Sequence, residues 1–314
     1  MAALRAAVIG VGYMGRFHAQ KLAALEGVEL VAVADGEPSR AQQVARELGC
    51  RAETDYRRLL AGIEAAAVAV PTEAHHEVVR ACLAAGVNVL VEKPVAGSVA
   101  EADELLALAR ARGLVLQVGH LERFNPAFRA LAAEAGRPQF IDIERLAPFK
   151  ARGTDVNVVL DLMIHDLDLV LALAHAPLEA VSACGFRVLT EAIDIANARL
   201  EFADGCVASV SASRVSQSPV RKLRVIRERE YVSADLQGHR LRYVRMGEDG
   251  ITETERSFER VDALQLQAEA FVRAVRARDA PAVGGDEGRR ALELALQVSE
   301  LVQARLARYA AERR

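Results

Sequence analysis

The chain has 314 residues, of which 52% are apolar and 26% charged, and a net charge of −3. That length suffices for two domains with cores of their own, and the small negative charge excludes the basic footprint of a nucleic-acid or membrane-surface protein. Aromatic residues make up 4% and tryptophan is absent, which leaves no stacking platform for single-stranded nucleic acid.

The opening stretch MAALRAAVIG has a single Arg and no extended apolar run before a cleavage site, so it reads as a first strand and not as a signal peptide. No uninterrupted apolar run reaches the roughly 18–20 residues of a membrane helix. Short apolar runs at 4–10, 28–35, 65–70, 87–93 and 114–119 read as strands buried on both faces. Segments around 13–26, 38–48, 73–85 and 98–112 carry helical spacing with polar faces. Buried strands alternating with helices predict a doubly wound parallel sheet, an α/β domain.

From about residue 122 the rhythm becomes period two. FIDIERL, EAVSACGFRVL, DIANARLEF, CVASVSASRV and RKLRVIRE alternate in and out, and YVSADLQ, HRLRYVRM and ITETERSF continue the series. This predicts a large, mostly antiparallel open sheet with one wetter face. A helix at 158–176 interrupts the series, and helices near 263–278 and 286–312 close the chain. The expected division is residues 1–121 and 122–314, with the closing helix able to pack back on the first domain. Cys50, Cys82, Cys184 and Cys206 show neither CxxC pairing nor metal spacing. They read as reduced core thiols, which sets an expectation of a cytoplasmic protein.

Gly10, Gly12 and Gly15 in AVIGVGYMG have G-x-G-x-x-G spacing after a predicted strand and at the start of a predicted helix. That context makes the turn, with Tyr13 and Met14 inside it, a candidate pyrophosphate cradle at a helix N-terminus. Asp35 ends the second strand twenty residues after Gly15. A carboxylate there accepts hydrogen bonds from ribose hydroxyls and repels a 2′-phosphate, so NAD is favoured over NADP. Ser39 and Arg40 follow closely and soften that preference. Pro71 and Thr72 sit at the carboxyl end of another strand, where ligands of such sheets bind. Thr72 is placed either to cap the next helix or to touch the cofactor. His18, His75 and His76 are assigned structural roles.

Glu92-Lys93-Pro94 ends the fifth strand, where Glu92 and Lys93 are expected to meet the cofactor, and would present Lys93 at the carboxyl rim of the sheet near the nicotinamide, where an ammonium can polarise a substrate hydroxyl. In VLDLMIHDLDLVLALAHAP, Asp161 and His165 are four apart and Asp168 seven, so helical spacing puts all three on one face, with Asp166 pointing away. No cluster of metal ligands accompanies them, and no metal is expected.

The glycine turn at 10–15, EKP at 92–94 and D-x-x-x-H at 161–165, in this order, resemble the glucose–fructose oxidoreductase / inositol dehydrogenase / MocA family over the whole chain. The segment VGGDEGRRALELALQVSE resembles that family's closing helix. The resemblance implies a Rossmann domain followed by an α/β domain with an open sheet. It implies reversible hydride transfer between NAD(P) and a sugar or cyclitol carbon, and homodimers or homotetramers, often packed through the open sheet. Lys93, Asp161 and His165 match the family's catalytic residues. His165 is the expected base for the substrate hydroxyl because an imidazole titrates near neutrality. GHLERFNPAF and RLAPFKARGTDVNVV resemble a subgroup acting on nucleotide-linked amino sugars. This implies C3 of a UDP-linked N-acetyl amino sugar, a precursor of lipid A or surface polysaccharide. Glu122, Arg123, Asn125, Lys150, Arg152 and Thr154 are then candidate substrate contacts, the cations serving a diphosphate. Two other readings stay open: a dehydrogenase of the same family for a free sugar, inositol or non-sugar carbonyl, and a non-catalytic NAD-binding sensor.

Overall fold

In the computed structural model the described residues are 2–134, 136–150 and 156–311. The first part of the chain runs β1 (Leu4–Ile9), α1 (Tyr13–Ala24), β2 (Val28–Ala34), α2 (Pro38–Leu48), β3 (Arg51–Glu53), β4 (Ala65–Val68), α3 (Thr72–Ala84), β5 (Asn88–Val91), α4 (Val99–Arg112) and β6 (Leu116–Val118). The strands form one parallel sheet in the order β3-β2-β1-β4-β5-β6. The order reverses between β1 and β4, and a doubly wound sheet opens its ligand crevice at such a reversal. All four residues of β4 and the last three of β5 are buried, as expected for strands covered on both faces.

Local signals set the helix ends. Glu37 caps α2 through the Ser39 N–H with Pro38 in the first turn, and Gly49 ends it in the left-handed region. Ser98 and Glu101 form a capping box at α4. Helix α1 differs: no side chain caps it, and its first turn holds no acid.

The next part contains α5 (Pro126–Ala132), β7 (Phe140–Leu146), a π turn over Val159–Met163 that runs into α6 (Ile164–Leu173), β8 (Leu178–Phe186), β9 (Ile195–Phe202), β10 (Val207–Ser213), β11 (Val220–Arg227), β12 (Glu230–Asp235), β13 (Arg240–Gly247) and β14 (Gly250–Ser257). These eight strands form a sheet in the order β14-β13-β12-β11-β7-β10-β9-β8. Only the β7–β10 pair is parallel. Ile141, Ile143, Leu200, Val210, Leu223 and Val225 are buried along one face. Asp142, Glu144, Asn197, Ser209 and Arg224 alternate with them and are partly exposed, the wetter face expected from the sequence.

Asp194, fully buried, ties the loop between β8 and β9. It accepts the N–H groups of Val188, Leu189 and Thr190 at 2.7–2.9 Å and the Thr190 hydroxyl at 2.7 Å. Burial works to raise its pKa, but these hydrogen bonds outweigh it and hold the carboxyl down at about 2.

The chain closes with α7 (Ala263–Ala277) and α8 (Gly285–Ala311). Two compact units result. One comprises the residues up to Leu121 together with Asp262–Leu292; the other comprises Glu122–Val261 with the residues from Glu293 onward. The sequence expectation ran the second segment without interruption to 314, but the apolar stripe of α7 belongs to the first core. Ala268, Phe271 and Val272 pack with Leu4, Ala6 and Val8 of β1 and with Ala19 and Leu22 of α1. The Val283 carbonyl accepts the Val118 N–H and Gly284 bridges Gln117, which covers the β6 edge of the parallel sheet. Among the described residues no helix is long and apolar enough to cross a membrane.

Candidate active site

The glycine turn is built for close approach. Gly10 has φ +82°, and a Cβ on Gly15 would lie 1.7 Å from the Gly10 oxygen. A Cβ on Gly12 would meet nothing within 4 Å. Gly12 thus leaves open space at the uncapped end of α1, where N–H groups and the helix dipole favour an anion. A cleft of about 880 Å³ runs from there between Gly10, Gly12, Asp35, Arg40, Tyr56 and Pro71. Glycine turn, uncapped helix and cleft fit a dinucleotide.

Asp35 is buried at the cleft wall, and its carboxylate already has partners. It accepts the Val11 N–H at 2.9 Å, the Glu37 N–H at 2.9 Å, and Arg40 Nη1 at 3.1 and 3.2 Å. It therefore also holds the glycine turn in shape, a duty that spacing alone does not reveal. Pro71 lines the cleft, and Thr72 is the first residue of α3, not its cap. Sequence reasoning passed over Thr54–Arg57, which wall the cleft after β3. That strand is three residues long and none of them is buried, so it leaves no hydrophobic signal.

Glu92, Lys93 and Pro94 follow β5, and the Lys93–Pro94 peptide is cis. Lys93 is half-buried. The Glu92 side chain meets His18, whose Nε2 lies 2.6 Å from Glu92 Oε1. On the other side of the turn, His75 of α3 sits with Nδ1 2.7 Å from the Pro94 oxygen and Nε2 3.0 Å from the Val70 oxygen.

In the other unit, Asn157 starts the helix by accepting the Leu160 N–H. A π turn follows, in which the Ile164 N–H reaches back to the Val159 oxygen. Such turns hold more residues than the 3.6 or so of an α turn, which brings positions four apart closer to alignment. Asp161 and His165, four apart, are the partly exposed acid and imidazole of this helix. Asp168, expected on the same face, is 1% exposed and held by Arg123 at 2.6 and 3.0 Å. Asp166 is likewise buried and takes Arg145 through three contacts of 2.7–3.1 Å. The four charges that looked alike in the sequence thus divide into an accessible pair and two buried anchors.

The anchors occupy several of the expected substrate contacts. Glu122 accepts from Arg145 at 3.2 Å and Arg221 at 3.0 Å, and Arg123 is committed to Asp168. Asn125 caps α5 through the Ala127 N–H and donates to the Leu236 oxygen. Lys150 is exposed, and Arg152 and Thr154 lie outside the described residues. Among the described residues, no three His, Cys, Asp or Glu side chains are grouped to hold a metal ion. Burial pushes the Cys82 thiol up to about 12 and that of Cys206 up to about 11, so neither is a nucleophile at neutral pH.

Residues 4–120 match the oxidoreductase family with an NAD-binding Rossmann fold, and residues 131–233 match the GFO/IDH/MocA C-terminal domain. A UDP-N-acetylglucosamine 3-dehydrogenase from Acidithiobacillus ferrooxidans is 40% identical over 312 residues, 97% of this chain and 99% of that protein. This chain belongs to the Gfo/Idh/MocA family. A crystal structure of the Acidithiobacillus protein covers the same share of each chain with a TM-score of 0.92. The scyllo-inositol 2-dehydrogenase of Bacillus subtilis, also similar to this Gfo/Idh/MocA chain, is 33% identical over 233 residues, 68% of each. A scyllo-inositol dehydrogenase from Lactobacillus casei, solved with NAD(H) and scyllo-inositol, has a TM-score of 0.83 over 96% of this chain and 98% of that one. At 19% identity it shows a shared fold. As a Gfo/Idh/MocA protein the chain is an NAD(P)-dependent dehydrogenase acting on CH–OH groups.

Proposed function

We propose that this dehydrogenase oxidises, reversibly, C3 of a UDP-linked N-acetyl amino sugar. The observation that carries the reading is 40% identity to UDP-N-acetylglucosamine 3-dehydrogenase over nearly all of both chains. Bound NAD supplies the hydride acceptor. His165 takes the proton from the substrate hydroxyl, a task suited to a half-exposed imidazole. Asp161, on the same accessible part of the helix, orients the imidazole or the sugar. Lys93 binds the hydroxyl oxygen and stabilises the negative charge that develops there. Lys150 and Arg152 neutralise the diphosphate, whereas Glu122, Arg123 and Asn125 hold the framework. The cofactor lies along Gly10–Gly15, Asp35, Pro71 and Thr72, with NAD favoured over NADP. The enzyme works in the cytoplasm as a homodimer or homotetramer, and the open sheet is the surface for self-association.

The test is a substrate panel with NAD, scored by NADH formation on UDP-N-acetylglucosamine, UDP-glucose, free N-acetylglucosamine and scyllo-inositol. UDP-N-acetylglucosamine should give the highest kcat/KM, with a 3-keto product by mass spectrometry. Faster turnover of scyllo-inositol or of the free sugar refutes the nucleotide-sugar assignment while leaving the dehydrogenase class intact.

A further inference from the structure

The Glu92-Lys93-Pro94 turn is gripped by buried groups on both flanks. His18, 2% exposed on α1, holds the Glu92 carboxylate with a 2.6 Å contact. The other carboxylate oxygen packs against Gly119, where a Cβ would come within 3.0 Å of Oε2 and 3.1 Å of the Glu92 Cα. The Glu92 N–H donates to the Val68 oxygen and the Gly119 N–H to the Val91 oxygen, so the backbone around this side chain is fixed as well. Among the described residues, His18 from α1 and His75 from α3 face the turn, Lys93 lies in the turn itself, and buried His120 follows the Gly119 that packs against Glu92.

We infer that Glu92, clamped by His18, is a positioning residue for Lys93: it keeps a fixed negative charge beside the ammonium and does not serve as a ligand of the cofactor ribose. A carboxylate can be desolvated and stay charged only with a strong donor and a nearby cation. Glu92 has both. Burial pushes its pKa up, but the hydrogen bond and charge of His18 and the charge of Lys93 outweigh it and hold the carboxyl below its ordinary value. The same anion favours the protonated form of its neighbour, and protonated Lys93 is the form that binds a hydroxyl oxygen turning into an alkoxide.

This inference rests on the reading of Lys93 as the residue that binds the substrate hydroxyl, and the experiment separates the two. kcat/KM against pH, NAD affinity and thermal melting are measured for Lys93→Ala, Glu92→Gln, His18→Leu and His18→Gln. Glu92→Gln is isosteric and should move the basic limb of the profile down by about one pH unit or more, with NAD affinity within about twofold of the parent. His18→Leu should move it the same way, because an unpartnered buried carboxylate takes up a proton. His18→Gln, which restores an N–H donor, should return the limb toward the parent position. A purely structural pair would lower the melting temperature and leave the limb where it is. If His18→Leu fails to fold, Glu92→Gln decides alone. A basic limb that stays put in Glu92→Gln while Lys93→Ala is inactive overturns the positioning role. Loss of NAD binding in Glu92→Gln makes Glu92 a cofactor ligand and overturns it too. Full rate in Lys93→Ala overturns the underlying reading, and this inference with it.

Discussion

Arg40 lies over Asp35 so that one guanidinium nitrogen touches both carboxylate oxygens. With Val11 and Glu37 also donating, each oxygen has two partners, about what its lone pairs allow. On the proposed placement of the ribose diol at Asp35, the diol has to displace Arg40, and a displaced, half-exposed Arg40 is a cation available to a 2′-phosphate. Arg40→Ala should lower kcat/KM with NADP by about tenfold more than with NAD; an unchanged ratio removes Arg40 from cofactor choice. His165→Ala should cost on the order of 10²–10⁴ in kcat while NAD affinity holds, and a rate within a few-fold of the parent rules out His165 as the base. At this scale the sequence shows residues whose chemistry is local. Glycines 10, 12 and 15 stand in a short spacing, and each constraint involves the turn itself. It hides partners far apart along the chain: His18 and Glu92 are 74 positions apart, and Arg123 and Asp168 are 45 apart.

Helix α6 is anchored by buried ion pairs at Asp166 and Asp168. Arg145 of β7 and Arg123 reach Asp166 and Asp168, and Glu122 completes the first cluster. Removing one member of a buried pair strands the other, at a cost of about 3–5 kcal/mol. Arg145→Met should show that loss as a lower urea midpoint. Arg145→Met with Asp166→Leu should recover part of it, because no charge is then left unpaired; a double variant as unstable as the sum of both singles contradicts this account. The Asp194 anchor predicts a pH dependence of defined sign. Its folded pKa is depressed, so its contribution is full above the ordinary carboxylate range and is lost as pH falls from about 4 toward 2. Asp194→Asn should flatten that part of the stability curve, measured as urea midpoints between about pH 5 and pH 2. The long elements were legible because their apolar residues repeat with one period, as in the buried β4 and β5 or the alternating β7. Helix α5, seven residues long, and β3, three residues long, offer too few repeats. The π turn differs from an α turn by one position in a single cycle, which hydrophobic spacing cannot resolve.

The first unit is discontinuous, because the chain leaves it at Leu121 and returns at Asp262. A fragment ending at residue 121 therefore lacks Ala268, Phe271 and Val272, which are at most 6% exposed in the whole protein. Such a fragment should melt without cooperativity and bind NAD weakly. The same fragment joined by a short linker to residues 262–292 should regain a cooperative transition, and equal behaviour of the two would show that α7 contributes little. The period change near 122 marks where the chain departs, but the return left no mark, because an amphipathic helix carries no address for the core it will join. The interruption also has a consequence in time. About 140 residues of the other unit are made between the two halves of the first core. At roughly 5–20 residues per second, that stretch alone delays the arrival of Phe271 at Leu4, Val8 and Leu22 by about 7–28 s. Throughout that interval the nascent parallel sheet lacks part of its cover, which makes it the segment a holding chaperone would meet first.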